Sequence, residues 1–146
     1  MSDPKFSIGI DLGTTHCALS YVDIARCDGE QVAQEIMLVP QLTAPGSVES
    51  LGLLPSFIYL PHASELAAGD LNLPWTSDQD YAVGEMARSR GAATPIRLVL
   101  SAKSWLCHAG VDRRAAILPN DAPPEVERLS PFEASQRYLA PLRSAW

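Results

Sequence analysis

Apolar positions alternate with small or polar ones through Phe6-Ser7-Ile8-Gly9-Ile10-Asp11, the period-two pattern of a half-buried strand. Leu12-Gly13-Thr14-Thr15 then supplies a turn, and Ala18-Leu19-Ser20-Tyr21-Val22 resumes the alternation, so a short hairpin pairs the two runs. Asp28-Gly29 is a second turn signal, and Gln34-Glu35-Ile36-Met37-Leu38-Val39 follows as a third strand. The chain therefore opens as a three-stranded antiparallel meander.

Beyond it the pattern is more broken. Residues 40–53 are rich in Thr, Ser, Gly and Pro and read as a loop, and Ser56-Phe57-Ile58-Tyr59-Leu60 is strand-like between Pro55 and Pro61. Residues 62–80 form another loop, followed by the brief strand Tyr81-Ala82-Val83. Glu85-Met86-Ala87-Arg88-Ser89-Arg90 has good helix formers and stops at Gly91. Ile96-Arg97-Leu98-Val99-Leu100 is extended, and Ser101 caps a short helix over residues 102–106. Pro119 to Pro124 is a loop. Ser130-Pro131-Phe132-Glu133 is a capping box with proline at the first helical position, and it starts a final helix. Phe132, Leu139, Leu142 and Trp146 share one face of that helix, with Pro141 placed to kink it.

Composition narrows the function classes. The chain has 146 residues, the common size of one domain, and 47% hydrophobic against 19% charged residues gives it material for a core. A formal net charge of −6 argues against a surface for nucleic acid or for an anionic membrane. Twelve prolines without a P-x-x-P repeat indicate many turns and edges. Cys17, Cys27 and Cys107 form no C-x-x-C pair, and the start lacks a signal-peptide pattern, so the expected setting is a reducing, cytoplasmic one. His16, His62 and His108 are too scattered for a zinc site.

One stretch carries deliberate chemistry. Asp11-Leu12-Gly13-Thr14-Thr15 sets a carboxylate at a strand end, then a glycine turn, then two hydroxyls. Such a turn can aim successive backbone N–H groups at phosphate oxygens, with Gly13 permitting close approach and Thr14 and Thr15 adding donors. Asp11 would face a magnesium ion through its water shell, since magnesium dehydrates reluctantly. Read from the turn alone, glycine and threonine serve hairpin geometry equally well. Neither G-x-x-x-x-G-K nor G-x-G-x-x-G occurs, which removes the Walker and Rossmann phosphate sites.

Ile8-Gly9-Ile10-Asp11 followed by Leu-Gly-Thr-Thr resembles the first phosphate loop of the superfamily that joins actin, sugar kinases and DnaK-type heat-shock chaperones. Three further segments fall in the chaperone order: Pro55-Ser56-Phe57-Ile58-Tyr59, Val83-Gly84-Glu85-Met86-Ala87 and Ala102-Lys103-Ser104-Trp105-Leu106. The chain thus resembles the N-terminal part of the nucleotide-binding domain of a divergent bacterial member of the 70-kDa heat-shock protein family. The resemblance implies an α/β fold of the ribonuclease H-like, actin type, which in this stretch is α+β. Residues 1–39 would be the first strands and phosphate loop of the core lobe, 40–129 an inserted lobe with long loops, and 130–146 a helix returning to the core.

The same resemblance implies Mg-ATP hydrolysis that gates affinity for unfolded polypeptide clients, with co-chaperones as further partners of the full-length protein. Asp11 matches the magnesium-water ligand, and Gly13, Thr14, Thr15 and the backbone of His16 match the phosphate loop that holds ATP or ADP. Lys103 matches the lysine that contacts the γ-phosphate and positions the attacking water. The sequence departs from the pattern at Ser101, which stands for an aspartate, at Ser104, which stands for an arginine, and at Cys107-His108. The loops 40–53 and 62–80 are longer than usual for the family. A second phosphate loop, further carboxylates and an adenosine pocket are expected beyond these residues, so the chain alone should bind ATP weakly or not at all. An apolar face without a partner, prone to self-association through the 6–22 hairpin or the final helix, is a further expectation. A sugar kinase fragment and a non-enzymatic scaffold are the alternatives. A sugar acceptor distinguishes the first, and a loop that no longer engages phosphate the second.

Overall fold

The computed structural model describes residues 3–28 and 31–146. Strand β1 (Phe6–Leu12) pairs antiparallel with β2 (His16–Asp23), with Leu12 opposite Cys17 and Phe6 opposite Asp23. The turn between them is Gly13 to Thr15, as the alternation required. β3 (Gln34–Ile36) adds to the far side of β2, completing the meander, but it is only half as long as the run 34–39 implied. Met37 still donates its N–H to the Leu19 carbonyl, and the chain then leaves the sheet at Val39. Of the Asp28-Gly29 turn, Gly29 lies outside the described residues.

The segment 40–53 is not a loop. It folds as a hairpin of β4 (Val39–Ala44) and β5 (Ser47–Leu51), turning at Pro45-Gly46 with Gly46 at φ 67°. Gly46 donates to the Asp70 carbonyl, which ties the hairpin tip to the long loop 62–80. β6 (Leu54–Pro55) then pairs with the start of β2, so that Cys17 faces Leu54 and His16 faces Pro55. β7 (Ile58–Tyr59) is the centre of a second small antiparallel sheet, flanked by β8 (Ala82–Val83) and β9 (Leu98–Val99). The expected extended run 96–100 is shorter, because Pro95–Arg97 forms one turn of tighter helix before β9.

Helix α1 (Glu85–Ala93) passes through Gly91 rather than stopping there. The reason is packing: a side chain at Gly91 would collide with Leu98, so the glycine marks a close helix-to-strand approach and not an end. Gly84, ahead of the helix, has φ 91°, and the buried side chain of Gln41 accepts from Glu85 N–H at 3.1 Å while its own amide donates to Leu53. Any side chain at Gly84 would meet Gln41 and Leu54. That fit gives the Val-Gly-x-x-Ala segment a physical cause, with Ala87 fully buried one turn later.

α2 (Ala102–Leu106) follows β9, and α3 (Pro131–Ala145) closes the chain. The capping box forms as the sequence required: Ser130 Oγ accepts from Glu133 N–H at 3.1 Å, and Glu133 accepts from Ser130 N–H at 2.9 Å. The helix continues through Pro141; of the expected stripe Leu142 is fully buried and Leu139 packs against the core, while Phe132 and Trp146 are exposed, and Pro131, Ala134, Ser135, Tyr138 and Pro141 complete the buried face. Phe132 lies about 80° around the helix from Leu142 at 100° per residue, and it is exposed beneath the Arg114 guanidinium. Trp146 packs edge-on against Phe6 and Tyr21.

The architecture is mixed α and β with antiparallel sheets and few helices, an α+β arrangement. One apolar core runs from Cys17 and Leu19 of β2 through Leu54, Ile58 and Val99 to Tyr138 and Leu142 of α3. A second, smaller cluster joins Leu42, Tyr59, Met86 and Ala87. Among the described residues no helix is long and apolar enough to cross a membrane.

Candidate functional site

The turn between β1 and β2 is held from below by a single residue. Ser56 donates its N–H to the Thr15 carbonyl at 2.8 Å and its hydroxyl to the Gly13 carbonyl at 2.9 Å, and it is itself buried. The Cys17 sulfur lies 3.3 Å from Ser56 Oγ, within hydrogen-bond distance. Gly13 is required by the geometry, since a Cβ there would run into the His16 carbonyl. The turn carbonyls thus face inward and are satisfied, and no backbone carbonyl among the described residues accepts from the N–H of Thr14 or Thr15. Thr14 and Thr15 are exposed, and Asp11 is exposed at the end of β1.

Lys103 reaches the same region by a different route. β2 positions β6, the chain continues into β7, and β7 pairs with β9, which leads directly into α2. Ser101, expected to cap this helix, does not. Its backbone is left-handed at φ 56°, ψ 25°, and its side chain makes no cap bond. An N-cap acceptor needs extended backbone to turn its oxygen toward the first helical N–H groups. A non-glycine residue in the left-handed region is strained, and this one stands two residues before Lys103. Lys103 is half-buried, and neither it nor Asp11 has an ion-pair partner among the described residues.

Cys17 reports how these groups are arranged. Burial pushes its thiol above the ordinary value, while the bonds to Ser56 and Gly13 pull the other way. The charges of Asp11 and Lys103 act on it as well, the carboxylate raising and the ammonium lowering its pKa. The charges of both Asp11 and Lys103 thus reach the buried thiol beneath the glycine turn. The thiol is a small packing residue under the turn, and its raised pKa makes it a poor nucleophile.

Tyr138 of α3 completes the floor. It is buried, its hydroxyl has no hydrogen-bond partner among the described residues, burial drives its pKa strongly upward, and the Cys17 thiol adds to that rise. Neither Tyr138 nor the clamp made by Ser56 was evident from the chain. Pro55-Ser56 was visible as a motif, but that its serine ties the turn down follows only from β6 pairing with β2. Tyr138 carried the helical spacing of a core residue and nothing more.

Magnesium suits the donor set to the extent of one free carboxylate. A single exposed aspartate fits an ion that keeps most of its water, and no group of three or more His, Cys, Asp or Glu gathers among the described residues. The free N–H groups of Thr14 and Thr15 suit phosphate oxygens. No protein-family model, curated protein or solved structure matches the chain.

Proposed function

We propose that the chain is the opening part of an actin-type ATPase domain of the DnaK-type chaperone class, supplying the first phosphate loop and one catalytic lysine. The observation that carries this reading is the clamped turn: both inward carbonyls of Gly13 and Thr15 are held by Ser56, and the outward N–H groups of Thr14 and Thr15 are free. A loop held in this way meets phosphate without reorganising, which is the condition under which backbone donors contribute most.

In this reading Gly13, Thr14, Thr15 and the His16 backbone bind the phosphates of ATP. Asp11 holds magnesium through its water shell, and the ion supplies charge neutralisation across the phosphates. Lys103 places its ammonium near the γ-phosphate, where it offsets developing charge and orients the attacking water. Ser101, in its strained backbone, sets the direction of α2 and hence of that ammonium. Hydrolysis in the intact protein would gate affinity for unfolded polypeptide, with co-chaperones acting on the cycle in the cytoplasm.

Replacing Lys103 with alanine in the intact protein tests the assignment. Loss of one such electrostatic contact lowers kcat by about 10²–10³, with ATP binding largely retained. An unchanged hydrolysis rate contradicts the role given to Lys103. Phosphate transfer to a sugar acceptor would place the protein among the kinases instead.

A further inference from the structure

A sizeable cavity lies away from the phosphate turn. It has a volume of about 530 Å³ and is walled by the long loop 62–80 together with Leu60 just after β7 and Arg137 midway along α3. That size falls in the range of small-molecule sites, roughly 300–1,000 Å³. Leu60, Leu66 and Leu71 give it an apolar side, and Arg97 and Arg137 both line it.

The two arginines are held but not neutralised. Arg97 donates one Nη1 N–H to the Leu60 carbonyl at 3.1 Å, and the Arg137 guanidinium stacks 4.1 Å from the centre of the Tyr81 ring. A guanidinium carries five N–H donors, so each keeps several free, and neither has a carboxylate within ion-pair distance among the described residues. Both are half-buried, whereas the two carboxylates of the lining, Asp80 and Glu127, are exposed at its rim and form no ion pair either. His62 is occupied with Ser64 at 2.8 Å. In an acidic chain of net charge −6, two unpaired guanidiniums lining one cavity with an apolar side call for an anionic occupant.

We infer that this cavity binds a small organic monoanion, a carboxylate on an apolar body, with the head group at Arg97 and Arg137 and the body against the leucines. Asp80 and Glu127 at the mouth set the charge limit: they repel a polyanion, so phosphate and ATP are disfavoured here. The site is independent of the phosphate turn, and it gives the long loop 62–80 a role.

The test is an amide NMR titration of the isotope-labelled chain with sodium hexanoate, and in parallel with inorganic phosphate. The expected result is saturable shifts confined to residues 60–72 and 79–81 with hexanoate, and weaker or no shifts there with phosphate. Paired Arg97→Gln and Arg137→Gln substitution should weaken hexanoate binding at least about tenfold, as loss of charge-assisted bonds implies. Asp80→Asn disturbs no hydrogen bond of the structure and should tighten binding. Absence of saturable shifts with hexanoate overturns the inference. So does phosphate binding as well as hexanoate, or Asp80→Asn weakening it.

Discussion

At the scale of single residues the turn region is built from unequal parts. Ser56 bonds three neighbours at once, while Tyr138 buries a hydroxyl with no partner among the described residues. A buried polar group left unpaired costs about 1–3 kcal/mol, so Tyr138→Phe should raise unfolding free energy by about 1 kcal/mol, measured by urea denaturation. The same site contributes to the loss of stability at alkaline pH. Cys17 and Tyr138 both have folded pKa values above their ordinary ones of 9.0 and 10.0. Their contribution is complete below those values and is lost as pH rises beyond them, because only the unfolded chain then releases the protons. Stability should therefore hold up to pH 9 and decline above it, less steeply in Tyr138→Phe. Thiol accessibility follows the same burial. Cys107 is exposed, Cys27 half-buried and Cys17 buried, so a thiol reagent should label them in that order, Cys17 only on unfolding. Asp11, Gly13, Thr14 and Thr15 stood out in the chain as a carboxylate, a glycine turn and two hydroxyls in succession, and Lys103 only through the family resemblance. Ser56 and Tyr138 did not, since what they do depends on partners 39 or more positions away or on having none.

At the scale of elements, α3 is the part most fully written in the chain. Its capping box forms as spaced, and the bonds from Ser130 hold the Glu133 carboxyl below its ordinary value of 4.5. A lowered carboxylate contributes above the ordinary value and fades as pH falls through the lowered one. Ser130→Ala should cost about 1 kcal/mol, and Glu133→Gln should flatten the acid side of the stability profile between those two values. Leu142→Ala, fully buried on the same helix, should cost about 2–5 kcal/mol. The β4 and β5 hairpin was hidden for a definite reason. Its inward row includes Gln41, a polar residue buried because it caps α1 and bonds Leu53, so no apolar alternation marks the strand. Ser101 misled in the opposite sense: serine before a helix implies a cap, but the left-handed backbone required at the β9 to α2 corner turns its hydroxyl away. The tertiary corner overrode the local preference.

At the scale of the whole molecule, the sheet is covered unevenly. α3 lies over β2, where Cys17 and Leu19 are buried, but on the same face of β1 Ile8 and Ile10 remain 45% and 55% exposed. β1 is also the edge of its sheet. An apolar row on an open edge is a template for association, so the chain should show concentration-dependent self-association in sedimentation, relieved by Ile8→Lys. An unchanged monomeric profile up to high concentration contradicts that expectation. The opening antiparallel meander was readable from periodicity, and the α+β character was implied by the resemblance. The path that carries the chain from the turn to Lys103 was not readable, because it runs through β6, β7 and β9, each two residues long and without a period of its own. The central claim is that the clamped turn engages phosphate. Hydrogen exchange at the amides of Thr14 and Thr15 in the intact protein, with and without Mg-ATP, tests it most directly. Marked slowing that requires both magnesium and ATP is the predicted result, and exchange unaltered by saturating Mg-ATP would contradict it.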